Sequence, residues 1–233
     1  MVQPLILQYF QLLPERHAEE EPANWPREYR KALLRFKRAV AARYYESTLE
    51  RLLDAPDADT RQAAVLALGL MGTIKTSPTV ASCLHDDDES VRKIATESLW
   101  AIWQRGDSTE NNQELQRLIR MTAKGDDAVA ILAGFDALLK KAPRFAEAYN
   151  QRAIVHFKRG DYAQAIRDCE KAMRLNPHHF GAASGMGQCF MKQKKLRAAL
   201  RIYRRANRIN PNLHNIRETI LSLERMLGEE GKR

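Results

Sequence analysis

Three stretches hold residue types that could do chemistry. Leu84 to Lys93 reads LHDDDESVRK, with Asp86, Asp87, Asp88 and Glu89 in succession, the oxygen-rich set that hard cations favour. His178 and His179 put two imidazoles side by side, and Lys192 to Arg208, KQKKLRAALRIYRRANR, carries eight cations and no acid. A calcium loop needs a glycine at its sharp turn and a distal bidentate glutamate, and neither is correctly placed here. The histidine pair has no cysteine or further histidine near it in sequence. The chain contains no Gly-rich phosphate loop, no Gly-x-Ser-x-Gly elbow and no His-Glu-x-x-His helix. The expectation is a non-catalytic protein without metal or cofactor.

The elements that carry these stretches are helical. The 233 residues are 44% hydrophobic but only 7% aromatic, rich in Ala and Leu and without the β-branched alternation of strands. No apolar run reaches the roughly 18 residues of a membrane span. The N-terminal MVQPLILQYFQLLPE lacks the leading charge and small-residue cleavage site of a secretion signal. Cys83, Cys169 and Cys189 are scattered and odd in number, which suits a reducing cytoplasm. The net charge of +9 is uneven: residues 1–110 hold 14 Lys+Arg and 17 Asp+Glu (−3), residues 111–233 hold 24 and 12 (+12). That asymmetry points to two functional segments and to an acidic partner for the second.

The acidic run explains itself by recurring. Arg61 and Arg92 are separated by the same interval as Leu53 and Leu84, Ala64 and Ala95, Leu68 and Leu99, and Met71 and Ile102. Each copy reads as a short helix, an acidic turn and a longer helix. The aspartates stand where the second helix begins, where a carboxylate accepts hydrogen bonds from free backbone N–H groups and meets the positive end of the dipole. Helix capping therefore accounts for DDDE. This arrangement, Leu-Leu-Asp, an Asp-rich turn, Arg and then Ala-x-x-x-Leu, resembles HEAT repeats of the short kind found in bilin lyase-type proteins, over about residues 46–105. Some HEAT-repeat hydroxylases bind iron through His-Glu pairs; this chain has no His-Glu dipeptide, so that activity does not carry over.

The second half has another, slightly longer period, marked by the equally spaced Pro143, Pro177 and Pro211. One copy gives Tyr149-x2-Arg152-Ala153-x2-His156, Ala165-x3-Cys169, Ala172 and Pro177. The next gives Ala183-x2-Met186-Gly187-x2-Phe190, Ala199-x3-Tyr203, Ala206 and Pro211. With RGDYAQAI and EKAMRLNP, these phrases resemble tetratricopeptide (TPR) repeats. A degenerate copy precedes them. Its Gly125-Asp126 stands one place too far from Gly160-Asp161 for the proline period, which suggests a one-residue slip within its second helix. Arg152, His156 and Cys169 replace apolar or aromatic residues, so looser packing is expected in that copy. Lys194-Lys195 stands where Gly-Asp is usual. NIRETILSLERMLGEE reads as a capping helix.

The fold expected is an all-α solenoid: residues 1–45 an N-terminal segment and degenerate helical cap, 46–107 HEAT-like repeats, 108–233 a TPR array with its capping helix. The join, WAIWQRGDSTENN, is short; Gly106 ends one helix, Asp107, Ser108 or Thr109 caps the next, and Trp100 and Trp103 are expected to cover the seam of one continuous stack. The TPR resemblance implies peptide binding in a concave groove lined by first helices, at Asn150, Ile154, Phe157 and Lys158 and then Ser184, Gln188, Met191 and Lys192. Ile154 and Gly185 stand where a carboxylate clamp for chaperone tails needs polar donors, so no such clamp is expected. A mixed apolar and acidic peptide suits the groove. Arg197, Arg201, Arg204, Arg205 and Arg208 form a basic stripe at helical spacing, a solvated outer face or a surface for a polyanion. The chain thus reads as a cytoplasmic adaptor or scaffold holding another protein, with nucleic-acid binding through the basic half as the alternative.

Overall fold

The structure, a computed structural model, describes residues 4–14 and 27–230. Among the described residues it contains thirteen α-helices and no strand. They group into two compact units, Met1–Ile102 and Trp103–Arg233. No described helix is long and apolar enough to cross a membrane.

The first unit opens with α1 (Leu5–Phe10) and α2 (Arg27–Ala41). The helical cap expected within residues 1–45 is thus α2, which ends at Ala41, and α1 is an addition to the expected elements. Ile6 and Leu7 of α1 are buried, Phe10 meets Phe36 of α2 edge-on, and the Ile6 N–H donates to the Tyr44 hydroxyl. Then come the two repeats: α3 (Glu46–Leu52) with α4 (Ala58–Met71), and α5 (Ser77–Ser82), extended by a 3-10 turn at Cys83–His85, with α6 (Glu89–Trp103).

The repeat of this unit is visible atom by atom. Asp57 accepts from the Thr60 N–H at 2.8 Å, and Asp88 from the Val91 N–H at 2.9 Å. Arg61 donates to the carbonyls of Ala55 and Pro56, and Arg92 to those of Asp86 and Asp87. Asp86 has a second role: both its oxygens accept from Arg61, at 2.8 Å each, so the turn of one repeat grips the helix of the previous one. The acidic run therefore divides its work, with Asp88 capping, Asp86 bridging and Asp87 exposed. Close approach completes the unit. A Cβ on Gly69 would overlap Ser98, whose hydroxyl donates to the Val65 carbonyl.

In the second unit α7 (Thr109–Lys124) and α8 (Ala128–Lys141), α9 (Ala146–Lys158) and α10 (Tyr162–Leu175), and α11 (Phe180–Lys192) and α12 (Leu196–Ile209) form successive pairs, and α13 (Ile216–Glu230) packs on α12. The second helices α8, α10 and α12 begin and end at the interval of the three prolines. The slip expected within α8 is absent. It lies in the turn before it, where Gly125 (φ 76°) directly follows the helix whereas Gly160 (φ 84°) stands one place later. Lys194, the equivalent of Gly160 in the next pair, takes the same left-handed conformation at φ 58°, which costs a side-chain-bearing residue about 1 kcal/mol. Gly106 N–H bonds to the Trp103 carbonyl, and Ser108 caps α7 through the Asn111 N–H.

Arg152 does not loosen its repeat. Its guanidinium forks onto Asp168 of α10 at 2.8 and 2.7 Å and reaches Asp136 of α8 at 2.6 Å. One side chain of α9 ties the helices on both sides.

The small residues divide into those that must be small and those that are merely small. A Cβ on Gly187 would sit 2.9 Å from the ring of buried Tyr203, whereas one on Gly185 would meet only Cys169 Sγ, at 3.8 Å. Gly187→Ala should therefore destabilise the second unit by about 1–3 kcal/mol, and Gly185→Ala should stabilise it by about 0.5–1 kcal/mol through helix propensity. Denaturant melts of the two variants measure this; equal effects would remove the distinction.

In the first unit Asp86→Ala should cost about 2–3 kcal/mol, because it strands a largely buried Arg61, while Asp87→Ala should stay within about 0.5 kcal/mol. Added calcium should leave the melting temperature unchanged. The Arg61 guanidinium holds the Asp86 carboxyl below the usual carboxylate range, and hydrogen bonds from Thr60 do the same for Asp57. Their contribution is full above about pH 4 and is lost as pH falls through the lowered values. Thermal melts of the parent and of Asp86→Ala between neutral and strongly acid pH check the sign.

Candidate functional site

The first helices α7, α9 and α11 touch one another in sequence, so their outward positions form one face of the second unit. On α9, Ile154 is 38% exposed, an unusual level for a large apolar side chain flanked by packed neighbours. Phe157 is half-buried against Tyr162, ring centroids 5.5 Å apart. Lys158 is exposed, and its Nζ donates to the Thr122 carbonyl at 3.1 Å, capping the end of α7. On α11, Ser184 is half-buried, Gln188 and Lys192 are exposed, and Met191 lies half-buried over the core. Asn150 is 4% exposed, its amide within 3.5 Å of both Glu147 oxygens. It belongs to the wall beneath this face and offers a ligand little. The predicted positions that remain accessible are Ile154, Phe157 and Lys158 on α9 and Ser184, Gln188, Met191 and Lys192 on α11.

The wall contains a cluster that sequence reasoning missed. Glu147 and His179 are buried, with His179 Nε2 2.8 Å from Glu147 Oε2. His179 Nδ1 accepts from the Ala182 N–H at 3.1 Å, which caps α11. An acceptor Nδ1 fixes the neutral tautomer with its proton on Nε2, and that proton is donated to the carboxylate. Gln151 Nε2 donates to the other Glu147 oxygen at 2.6 Å. Trp103, the first residue of this unit, stacks on the imidazole at 4.4 Å and meets Phe180 at 5.0 Å. Trp103 is thus a core aromatic, while Trp100 in the first unit is half-buried. The signal that was available was position: His179 directly precedes α11, where an acceptor side chain caps a helix.

The stripe on α12 is as exposed as its spacing implies. Arg197, Arg201, Arg204 and Arg208 face solvent and Arg205 is half-buried. Arg204 donates to Glu224 of α13 at 2.7 Å. Burial pushes the Cys83 and Cys189 thiols up to about 11 and raises Cys169 further, so none is a thiolate near neutral pH. Among the described residues no three His, Cys, Asp or Glu side chains converge as a metal site.

Comparison with known proteins agrees with the repeats. A HEAT repeats family model matches residues 45–138 and a tetratricopeptide repeat model matches 146–179. The HEAT match runs on through α7 and into α8, the pair read from sequence as a degenerate TPR copy. A TPR repeat-containing protein of Rhizobium etli is 30% identical over 98 residues, 42% of this chain and 48% of that protein. WD and tetratricopeptide repeats protein 1 of Mus musculus is 38% identical over 69 residues, 28% of this chain and 10% of that one. The chain therefore spans less than half the length of these relatives. The Sgt2 TPR domain from Aspergillus fumigatus superposes with a TM-score of 0.50 at 16% identity, covering 54% of this chain and 84% of that domain.

Glu147→Ala should strand the buried His179 N–H and cost about 1–3 kcal/mol, whereas Gln151→Ala, at the half-buried rim, should cost less than about 1 kcal/mol. Urea titrations of both report the order; a larger loss for Gln151 would contradict the wiring described. Trp103, Glu147 and His179 thus pack the base of a face built from successive helix pairs, and the chain carries HEAT repeats followed by tetratricopeptide repeats.

Proposed function

We propose that the chain is a non-catalytic, cytoplasmic adaptor whose TPR unit holds a short segment of another protein along the first-helix face. The observation that carries this is the exposed Ile154, one helical turn before half-buried Phe157 on α9, with half-buried Met191 of α11 packed on the same core cluster as Phe157 and with Gln188 and Lys192 exposed on α11. Apolar side chains left at a surface in a contiguous group mark interaction sites. Lys192 favours acid in the ligand, and the half-buried Phe157 and Met191 offer apolar surface to its apolar side chains. The preferred ligand is a segment in which one or two apolar anchors are followed by Asp or Glu. The first unit would serve as a rigid mount or a second surface.

The test is fluorescence anisotropy against a library of labelled acidic-apolar peptides. For the tightest binder, Ile154→Ala, Phe157→Ala and Met191→Ala should each weaken binding by about 1–2 kcal/mol, since buried anchors carry most interface energy. Lys192→Ala should act mainly on the association rate and its salt dependence. Asn150→Ala should lower stability more than affinity. Binding that survives the three apolar changes would place the ligand elsewhere.

A further inference from the structure

The basic side chains of the second unit are not confined to one helix. They recur with the repeat itself. Lys140, Arg174 and Arg208 are spaced as the three prolines are, and so are Arg167 and Arg201, and Lys171 and Arg205. Because α8, α10 and α12 begin and end in that same register, equal spacing places equivalent cations at equivalent heights on successive second helices. Lys140, Arg167, Arg174, Arg201 and Arg208 are exposed, and Lys171 and Arg205 half-buried. The helices are neighbours on one side: Arg152 joins α8 to α10, and a cleft of about 320 Å³ between α10 and α12 is lined by Glu170, Met173, Arg174, Ile202 and Arg205.

Acids do not balance this face. The α12 helix has none. On α10, Asp168 is buried beneath Arg152, and Asp136 of α8 is engaged by the same guanidinium. Glu170 lies in the cleft, and Glu224 is paired with Arg204. The cations thus form a grid with two directions, along each helix and across the stack. Along α12, Arg201 and Arg208 stand two helical turns, about 10 Å, apart.

We infer that this second-helix face binds double-stranded nucleic acid through its phosphates, without reading sequence. Guanidinium forks fit phosphate oxygens, and a grid of cations can meet charges on two strands. The same face argues against other polyanions. No aromatic side chain is exposed on α10 or α12, so the stacking platform that single strands require is missing. Neither helix exposes a large apolar side chain, so nothing is there to enter a bilayer or to anchor an acidic peptide. This surface lies on the opposite helices from the peptide face proposed above, and the two can hold independently.

The test uses the full chain and a labelled random-sequence DNA duplex of roughly 20 base pairs, two helical turns, in anisotropy titrations at several salt concentrations. The parent should bind with an affinity that falls steeply with salt, by about 0.9 log units per log unit of salt for each phosphate engaged. A triple variant, Arg174→Glu, Arg201→Glu and Arg208→Glu, should lose affinity at least about a hundredfold and flatten the slope by about three contacts. Replacing the same three with Lys should keep the slope. Circular dichroism melts matching the parent show that the exposed changes leave the fold intact, and Ile154→Ala should bind the duplex as the parent does. Salt-insensitive binding, binding unmoved by the triple reversal, or loss on Ile154→Ala would overturn the inference. So would a parent that sediments with phosphatidylserine vesicles or binds polyglutamate where it ignores the duplex.

Discussion

Neighbouring helices in this molecule cross so closely that some positions have no room for a side chain, and the stacking of everything else follows from that. Gly69 against Ser98 in the first unit and Gly187 against Tyr203 in the second are the points where a single methyl group would collide. Such crossings bring the backbones near enough for alanines such as Ala165, Ala172, Ala199 and Ala206 to be wholly buried. A core built from small side chains is thin in apolar area per residue, so its stability rests on density of contact. No isolated pair buries enough, and each depends on the next.

Polar cross-ties then fix the order of the stack. In the first unit Arg61 reads both the carbonyls of its own turn and the carboxylate of the following one. In the second, Arg152 spans its two flanking helices. These guanidiniums are only partly exposed, and each is hydrogen-bonded to more than one element and paired with a carboxylate, which lets a charge specify geometry within the fold. The two units solve the same problem of repeat-to-repeat registry with an arginine in different places: in the first turn of a second helix in one, inside a first helix in the other.

Most of this fold was legible in the sequence because repeats state their own period. The evenly spaced prolines Pro143, Pro177 and Pro211 and the paired arginines Arg61 and Arg92 located the helices, and the acidic turn announced the caps. Chain-distant pairing was hidden. His179 reaches back to Glu147 in the preceding first helix, and although its place just before α11 marks it as a cap, nothing local names that partner. Arg152 looked like a defect because it occupied an apolar position, yet Asp136 and Asp168 stand at equal distances along the chain on either side of it. Two acids so placed relative to a basic residue in a helical-pair repeat are a readable sign. The first-helix face proposed to hold a peptide is only partly readable from spacing: Ile154 is exposed as expected, but the burial of Asn150, whose amide lies against Glu147, could not be seen from spacing.

The arrangement around α9 has a consequence for how the second unit opens. That helix holds α8 and α10 through Arg152 and α11 through Glu147, while α13 is joined to its neighbour by packing and one exposed ion pair. In a nearest-neighbour stack, local opening runs inward from the weakest end and stalls at the most connected element. Amide exchange along this unit should therefore be graded, fastest in α13 and slowest in α9, with the helix carrying Ile154 the last part to be released.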